Sequence, residues 1–207
     1  NFTEANPDFH LDLIGFDACL MATYEAAAHM QYYADFMVAS EELEPSLGWN
    51  YAWLNALGEN PALDAQGIGV AIADAYMEAC LDENPDDYLS MSVLYLPAMD
   101  YLVSTMETYA SYLSQALDAG QLSTFSRARQ RMYAFGDFDS ATSDMVDMMA
   151  LIDGTRTIAP QTADVLQTAY ERVVRYNVGT RKFDYLTGMS VYFPSGSYEG
   201  CLLYTSP

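Results

Sequence analysis

The run Leu-Asp-Leu-Ile-Gly-Phe at residues 11–16 halts on Asp17, Ala18 and Cys19, and it constrains the chain more than any other stretch. A short apolar run bounded by polar residues is the pattern of a strand covered on both faces, as in parallel sheets flanked by helices. Beyond it, Leu20, Tyr24, Ala27, Ala28 and Met30 recur at helical spacing, which predicts a helix over residues 20–34. Cys19 is thereby placed at the carboxyl end of a central strand and the start of a helix. In open α/β sheets, sites form there.

A thiol at a helix N-terminus meets unpaired amides and the positive end of the dipole, which favour its thiolate. A thiolate attacks carbonyl carbon well but needs a histidine to protonate the leaving amine. Asp17, just before it, is placed to hold a cationic group beside the sulfur. The same residue types also suit an inert, packed cysteine and an aspartate that merely caps the helix, and spacing leaves both pairs of readings open.

The words around this block extend the picture. FDACLM followed by Glu25, VASEELEP with GWNY, SDMVDMMALI at 143–152 and GMSVYFP at 188–194 together resemble the clostripain family of cysteine peptidases. The resemblance implies a caspase-like α/β/α sandwich with a mostly parallel central sheet, and cleavage after arginine or lysine. It implies that Cys19 is the nucleophile and Asp17 the acid of the S1 pocket. Residues 36–39 read as the next parallel strand, so the loop after them should face Cys19. Ser40, Glu41 and Trp49 are expected to line the S1 cleft from that loop, the indole packing on the stem or guanidinium of an arginine.

The family's histidine has no counterpart here. His10 precedes the first strand and lies roughly 30 Å from Cys19 at about 3.3 Å per residue. His29 falls in the following helix, about 15 Å along its axis. The chain is therefore read as a carboxyl-terminal part, truncated at its N-terminus and inactive alone. Its expected partners are an amino-terminal, histidine-bearing part of the same enzyme and a peptide or protein substrate with a basic P1 residue. A non-catalytic peptide-binding homologue on the same scaffold is the alternative. The family also implies a secreted or cell-surface bacterial protein, with calcium possible as a cofactor. The acidic runs LDENPDDY and GDFDSATSD lack the glycine and closing glutamate of a calcium loop.

The peptidase part is assigned to residues 1–200. Cys201 to Ser206 back-translate to TGTCTCTTATACACATCT, an end sequence of transposase-based sequencing libraries, so residues 201–207 are expected to be adapter read-through. Cys80 lies in residues 67–81, where Ile68, Ile72, Ala75, Tyr76 and Ala79 make an apolar helical face, and reads as core or half-exposed. With Cys19 it makes neither a disulfide framework nor a zinc site. A net charge of -21 opposes nucleic acid or an anionic membrane as partner, because phosphate contact needs a basic footprint. No apolar run is long enough to span a bilayer.

The remaining periodicities predict strands at 89–96 and 188–193, the former with one less buried face. They predict helices at 51–57, at 65–81 capped by Asp64, at 99–117, at 122–135, at 144–152 capped by Ser143, and at 160–176. Strands and helices alternate, as one α/β/α domain requires.

Overall fold

The computed structural model describes residues 9–136, 144–180, 183 and 185–194. Strand β1 (Leu11–Gly15) leads through an irregular turn to helix α1 (Tyr24–Met30) and strand β2 (Ala34–Ala39). A 3-10 turn (Tyr51–Trp53) opens α2 (Leu54–Glu59), followed by α3 (Ala65–Glu83), β3 (Ser90–Tyr95), α4 (Met99–Asp118) and α5 (Leu122–Arg129). Strand β4 (Met145–Asp147), α6 (Met148–Thr155), α7 (Pro160–Val173), β5 (Val174–Gly179) and β6 (Ser190–Tyr192) complete the described chain.

The central sheet has the order β1-β2-β3-β5. β1 pairs with β2 in parallel, and β3 runs antiparallel to both β2 and β5. β1, β2 and β5 thus point the same way, and β3 alone among these four is reversed. Alternation along the strands divides the core between two faces. Met37, Ala39 and Leu94 pack with Leu102 and Tyr109 of α4, Met148 and Ile152 of α6, and Leu166 and Val173 of α7. Val38, Met91 and Val93 pack on the other face against Ile72, Tyr76 and Met77 of α3. Each fully buried leucine or methionine contributes about 1.5–3 kcal/mol to the sandwich.

Asp64 caps α3 as expected, its Oδ1 accepting from the Gly67 amide at 2.8 Å. Other elements differ from the sequence reading. β1 is an edge strand of the described sheet and only half buried, because strand position depends on neighbours that periodicity does not see. β3 has no wet face. Ser90 and Ser92 are fully buried, and Ser92 donates to Asn177 Oδ1 at 3.2 Å across the β3–β5 pair. The helix expected at 160–176 stops at Val173, and its last residues open β5, which the periodicity missed. The helix expected at 122–135 ends at Arg129, whose guanidinium turns inward to donate to the Phe193 carbonyl at 2.7 Å. Asp147 rather than Ser143 caps α6, accepting from the Ala150 amide at 2.9 Å. β6 pairs with β4 in a separate ribbon rather than joining the main sheet. Ser143, most of the acidic 136–144 run and residues 201–207 lie outside the described residues. Among the described residues no helix is long and apolar enough to cross a membrane.

Candidate active site

The turn carrying Cys19 is held from two sides. The Phe16 amide donates to the Val38 carbonyl at 3.0 Å, and the chain then reverses, the Leu20 and Ala22 amides donating to Glu42 and Ser40 carbonyls at 3.1 and 2.8 Å. From the opposite side the Ser190 amide donates to the Ala22 carbonyl at 2.8 Å. Leu20 adopts a left-handed φ of 61°, rare for a branched side chain and costing about 1–3 kcal/mol. Its side chain is anchored by Phe135, Phe183 and Leu186. The four stretches that carried the family resemblance therefore meet around this turn. Asp147 of the third pairs with Ser190 of the fourth, and Glu25 Oε1 accepts from the Tyr192 amide at 3.2 Å.

Cys19 is exposed. It does not begin a helix: Thr23 caps α1, its Oγ1 accepting from the Ala26 amide at 2.9 Å, so the helix amides and dipole lie beyond the thiol. The sulfur is steered instead by the 40–49 loop. The Glu44 amide donates to Sγ at 3.2 Å, and the thiol faces the Glu44 carbonyl at 3.7 Å. Asp17 is exposed and is not a helix cap either. Its Oδ2 accepts from the Trp49 amide at 3.1 Å. Gly48, at φ 71°, passes so close that an added Cβ would stand 3.3 Å from the same oxygen. The Trp49 indole lies over Gly15, where an added Cβ would be 2.7 Å from Cη2. Its Nε1 donates to Glu44 Oε2 at 3.1 Å.

Ser40 and Glu41 are not where the cleft reading placed them. Both are fully buried. Ser40 Oγ bonds to Ser90 Oγ at 3.1 Å and accepts from the Glu42 amide at 3.1 Å, while Ser90 Oγ accepts the Glu41 and Glu42 amides at 3.1 and 3.2 Å. Glu41 turns inward and accepts from the Gly188 amide at 2.9 Å, leaving Oε1 buried without a hydrogen-bond partner. Burial, and then the Asp147 carboxylate, raise its pKa well above the ordinary carboxylate value, which favours its protonated form. Asp147, its own pKa raised by burial, accepts from the Thr187 amide and hydroxyl, both at 2.7 Å. Ser40 and Glu41 thus brace the loop from beneath. Glu42 does the same from the flank, accepting from Tyr133 Oη and the Gly136 amide, each at 2.9 Å.

Glu44 was missed by the sequence reading. The one available signal was the indole of Trp49, whose N–H seeks an acceptor when half buried, with an acid in reach five residues back. Burial first, then the Asp17 charge, push the Glu44 pKa up to about 7.

The histidines stand away from the turn. His10 Nε2 is paired with Asp35 Oδ1 at 3.0 Å beside the amino-terminal end of β1, and His29 packs on Tyr33 with ring centroids 5.7 Å apart. Cys80 is buried in α3, and burial pushes its thiol up to about 11. Among the described residues no group of three or more histidine, cysteine, aspartate or glutamate side chains is arranged to hold a metal ion.

The fold is shared with solved peptidases. An inactive zymogen C11 protease from Parabacteroides distasonis superposes with a TM-score of 0.67 at 18% identity, over 93% of this chain and 55% of that one. A secreted C11 cysteine protease from Bacteroides thetaiotaomicron, bound to an irreversible peptide inhibitor, gives 0.66 at 18% identity over 94% and 56%. A clostripain from the same organism, in complex with a peptide inhibitor, gives 0.62 at 14% identity over 98% and 87%. This chain thus spans little more than half the length of the first two. No curated protein matches the sequence. The profile of the clostripain family, peptidase family C11, matches residues 4–198, nearly the whole chain, and the chain belongs to that family.

Proposed function

We propose that this chain is the nucleophile-bearing part of a cysteine endopeptidase that cleaves after arginine or lysine. One observation carries the reading: an exposed sulfur and an exposed carboxylate lie on the same short turn, both held by main-chain amides of the facing 44–49 segment. Membership of the family and the peptide inhibitors in two similar structures support it.

In this mechanism a basic P1 side chain settles against Asp17 beside the Trp49 indole. That contact sets the scissile carbonyl over Cys19 Sγ, and proximity of this kind supplies much of the rate. A histidine outside residues 1–207 removes the thiol proton. The thiolate then adds to the carbonyl carbon, and the Cys19 amide donates to the resulting oxyanion. The same histidine protonates the leaving amine as the C–N bond breaks, and water hydrolyses the thioester. With His10 and His29 both engaged elsewhere, the chain by itself is inactive. The partner it requires is the histidine-bearing part of the enzyme, and an export route like that of its secreted relative suits an acidic peptidase of this kind.

The test is covalent labelling of the full-length protein with an arginyl acyloxymethyl ketone, read by mass on the Cys19 peptide. Labelling is expected at Cys19 and lost in Cys19→Ala. A folded protein that takes no label overturns the peptidase reading and leaves a peptide-binding role.

A further inference from the structure

Building on the peptidase reading of Cys19 and Asp17, we propose that Glu44 is a specificity-determining residue of the P1 pocket, its carboxylate joining Asp17 around a basic side chain while its amide aims the Cys19 sulfur. The main chain of Glu44 brackets Sγ, with its N–H 3.2 Å and its carbonyl 3.7 Å away. The side chain reaches back toward Asp17. Oε2 accepts from the Trp49 indole, and Oε1 is buried without a hydrogen bond of good geometry; the Asp17 carboxyl and the Ala18 amide also bear on this carboxyl group.

Among the described residues, the groups that bear on this pair of acids bring no counter-charge. Asp17 and Cys19 approach from the turn after β1, and Tyr76 and Cys80 from α3, with Asp87 beyond its end. All are neutral or negative, and burial together with Asp17 holds the Glu44 pKa near 7. Two carboxyl groups in one partly dehydrated site, one with an oxygen that lacks a hydrogen bond of good geometry, form an incomplete arrangement that a guanidinium or ammonium completes with its own N–H donors. Seating a cation there favours the ionised Glu44. Capture of a basic residue is therefore coupled to release of a proton near neutral pH.

The test uses the chain as it is. Cys19 is modified with methanethiosulfonates of similar size carrying a positive, a neutral or a negative group, from pH 6 to 8.5, and rates are read on the Cys19 peptide by mass spectrometry. Dividing the cationic by the neutral rate removes the thiol's own ionisation. In the wild type this ratio should climb about three- to tenfold as pH passes 7, with the anionic reagent moving the opposite way. Glu44→Gln keeps an acceptor for the indole and should give a low, flat ratio, whereas Glu44→Asp should retain a step. A wild-type ratio that ignores pH, or an unchanged step in a Glu44→Gln protein with wild-type circular dichroism, overturns the assignment. In the full-length enzyme, Glu44→Gln should raise KM for arginyl substrates more than it lowers kcat. Turnover of arginyl amides with no step sinks Glu44 alone, and a step without turnover sinks the peptidase reading while keeping Glu44 in a cation pocket.

Discussion

The Trp49 amide donates to Asp17 Oδ2 at 3.1 Å, so the exposed carboxylate beside Cys19 is fixed by the very turn that faces it. Asp17→Asn keeps an acceptor for that amide and removes only the charge. It should lower kcat/KM on arginyl peptides by about 10- to 100-fold, the loss of a hydrogen bond to a charged group, with little change in melting temperature. Steady-state kinetics on arginyl and norleucyl peptides decide it. Equal losses on both would refute the S1 assignment.

Gly15 leaves room for the Trp49 ring, since an added Cβ would sit 2.7 Å from Cη2 and 2.8 Å from Cζ3. Gly15→Ala should push the indole off β1 at a cost of about 1–3 kcal/mol, the usual range for overpacking. A shift in tryptophan emission and a raised KM for basic substrates are expected together. An unmoved emission spectrum in the variant would contradict the packing.

Glu41 and Asp147 both have pKa values raised in the folded state, chiefly by burial. An acid of that kind adds stability in full below its unfolded pKa, about 4, and that stability is lost as pH rises through the folded value. The melting temperature should therefore fall as pH rises above the unfolded carboxylate value toward the raised folded values. Glu41→Gln should make the fall shallower, as measured by calorimetry at constant ionic strength. Parallel curves for the two proteins would show that Glu41 takes no part.

The two described cysteines should separate cleanly by reagent. Cys19 is exposed, whereas Cys80 is buried with its thiol held near 11. At pH 8 iodoacetamide should modify Cys19 at least about 100-fold faster than Cys80 in the native protein, because the thiolate is the reactive form. Comparable rates, with folding intact, would place Cys80 at the surface.

Much of this was legible in the residues. The apolar run at residues 11–16, which holds β1, and the cap at Asp64 follow from local pattern, whereas Cys19 reads as the start of a helix and stands on an exposed turn before it. What escaped depended on distant partners. Ser40 and Glu41 read as lining of the S1 cleft because nothing nearby in sequence announces Ser90 beneath them or the Gly188 amide that donates to Glu41. Thr23 was available as a cap, but the apolar spacing from Leu20 onward masked it. Leu20 and Ala22 spend their amides on the Glu42 and Ser40 carbonyls rather than on a helix. Glu44 stood in the SEELEP word without distinction until the fold brought it against the sulfur.

Strand β3 enters the sheet against the grain of its neighbours, so its first residue, not its last, arrives beside the end of β2. Ser90 is that residue, and one hydroxyl there gathers two amides from the loop that steers the Cys19 sulfur. Removing that one hydroxyl, as in Ser90→Ala, would slacken the rim around Cys19 from a buried position seventy-one residues downstream.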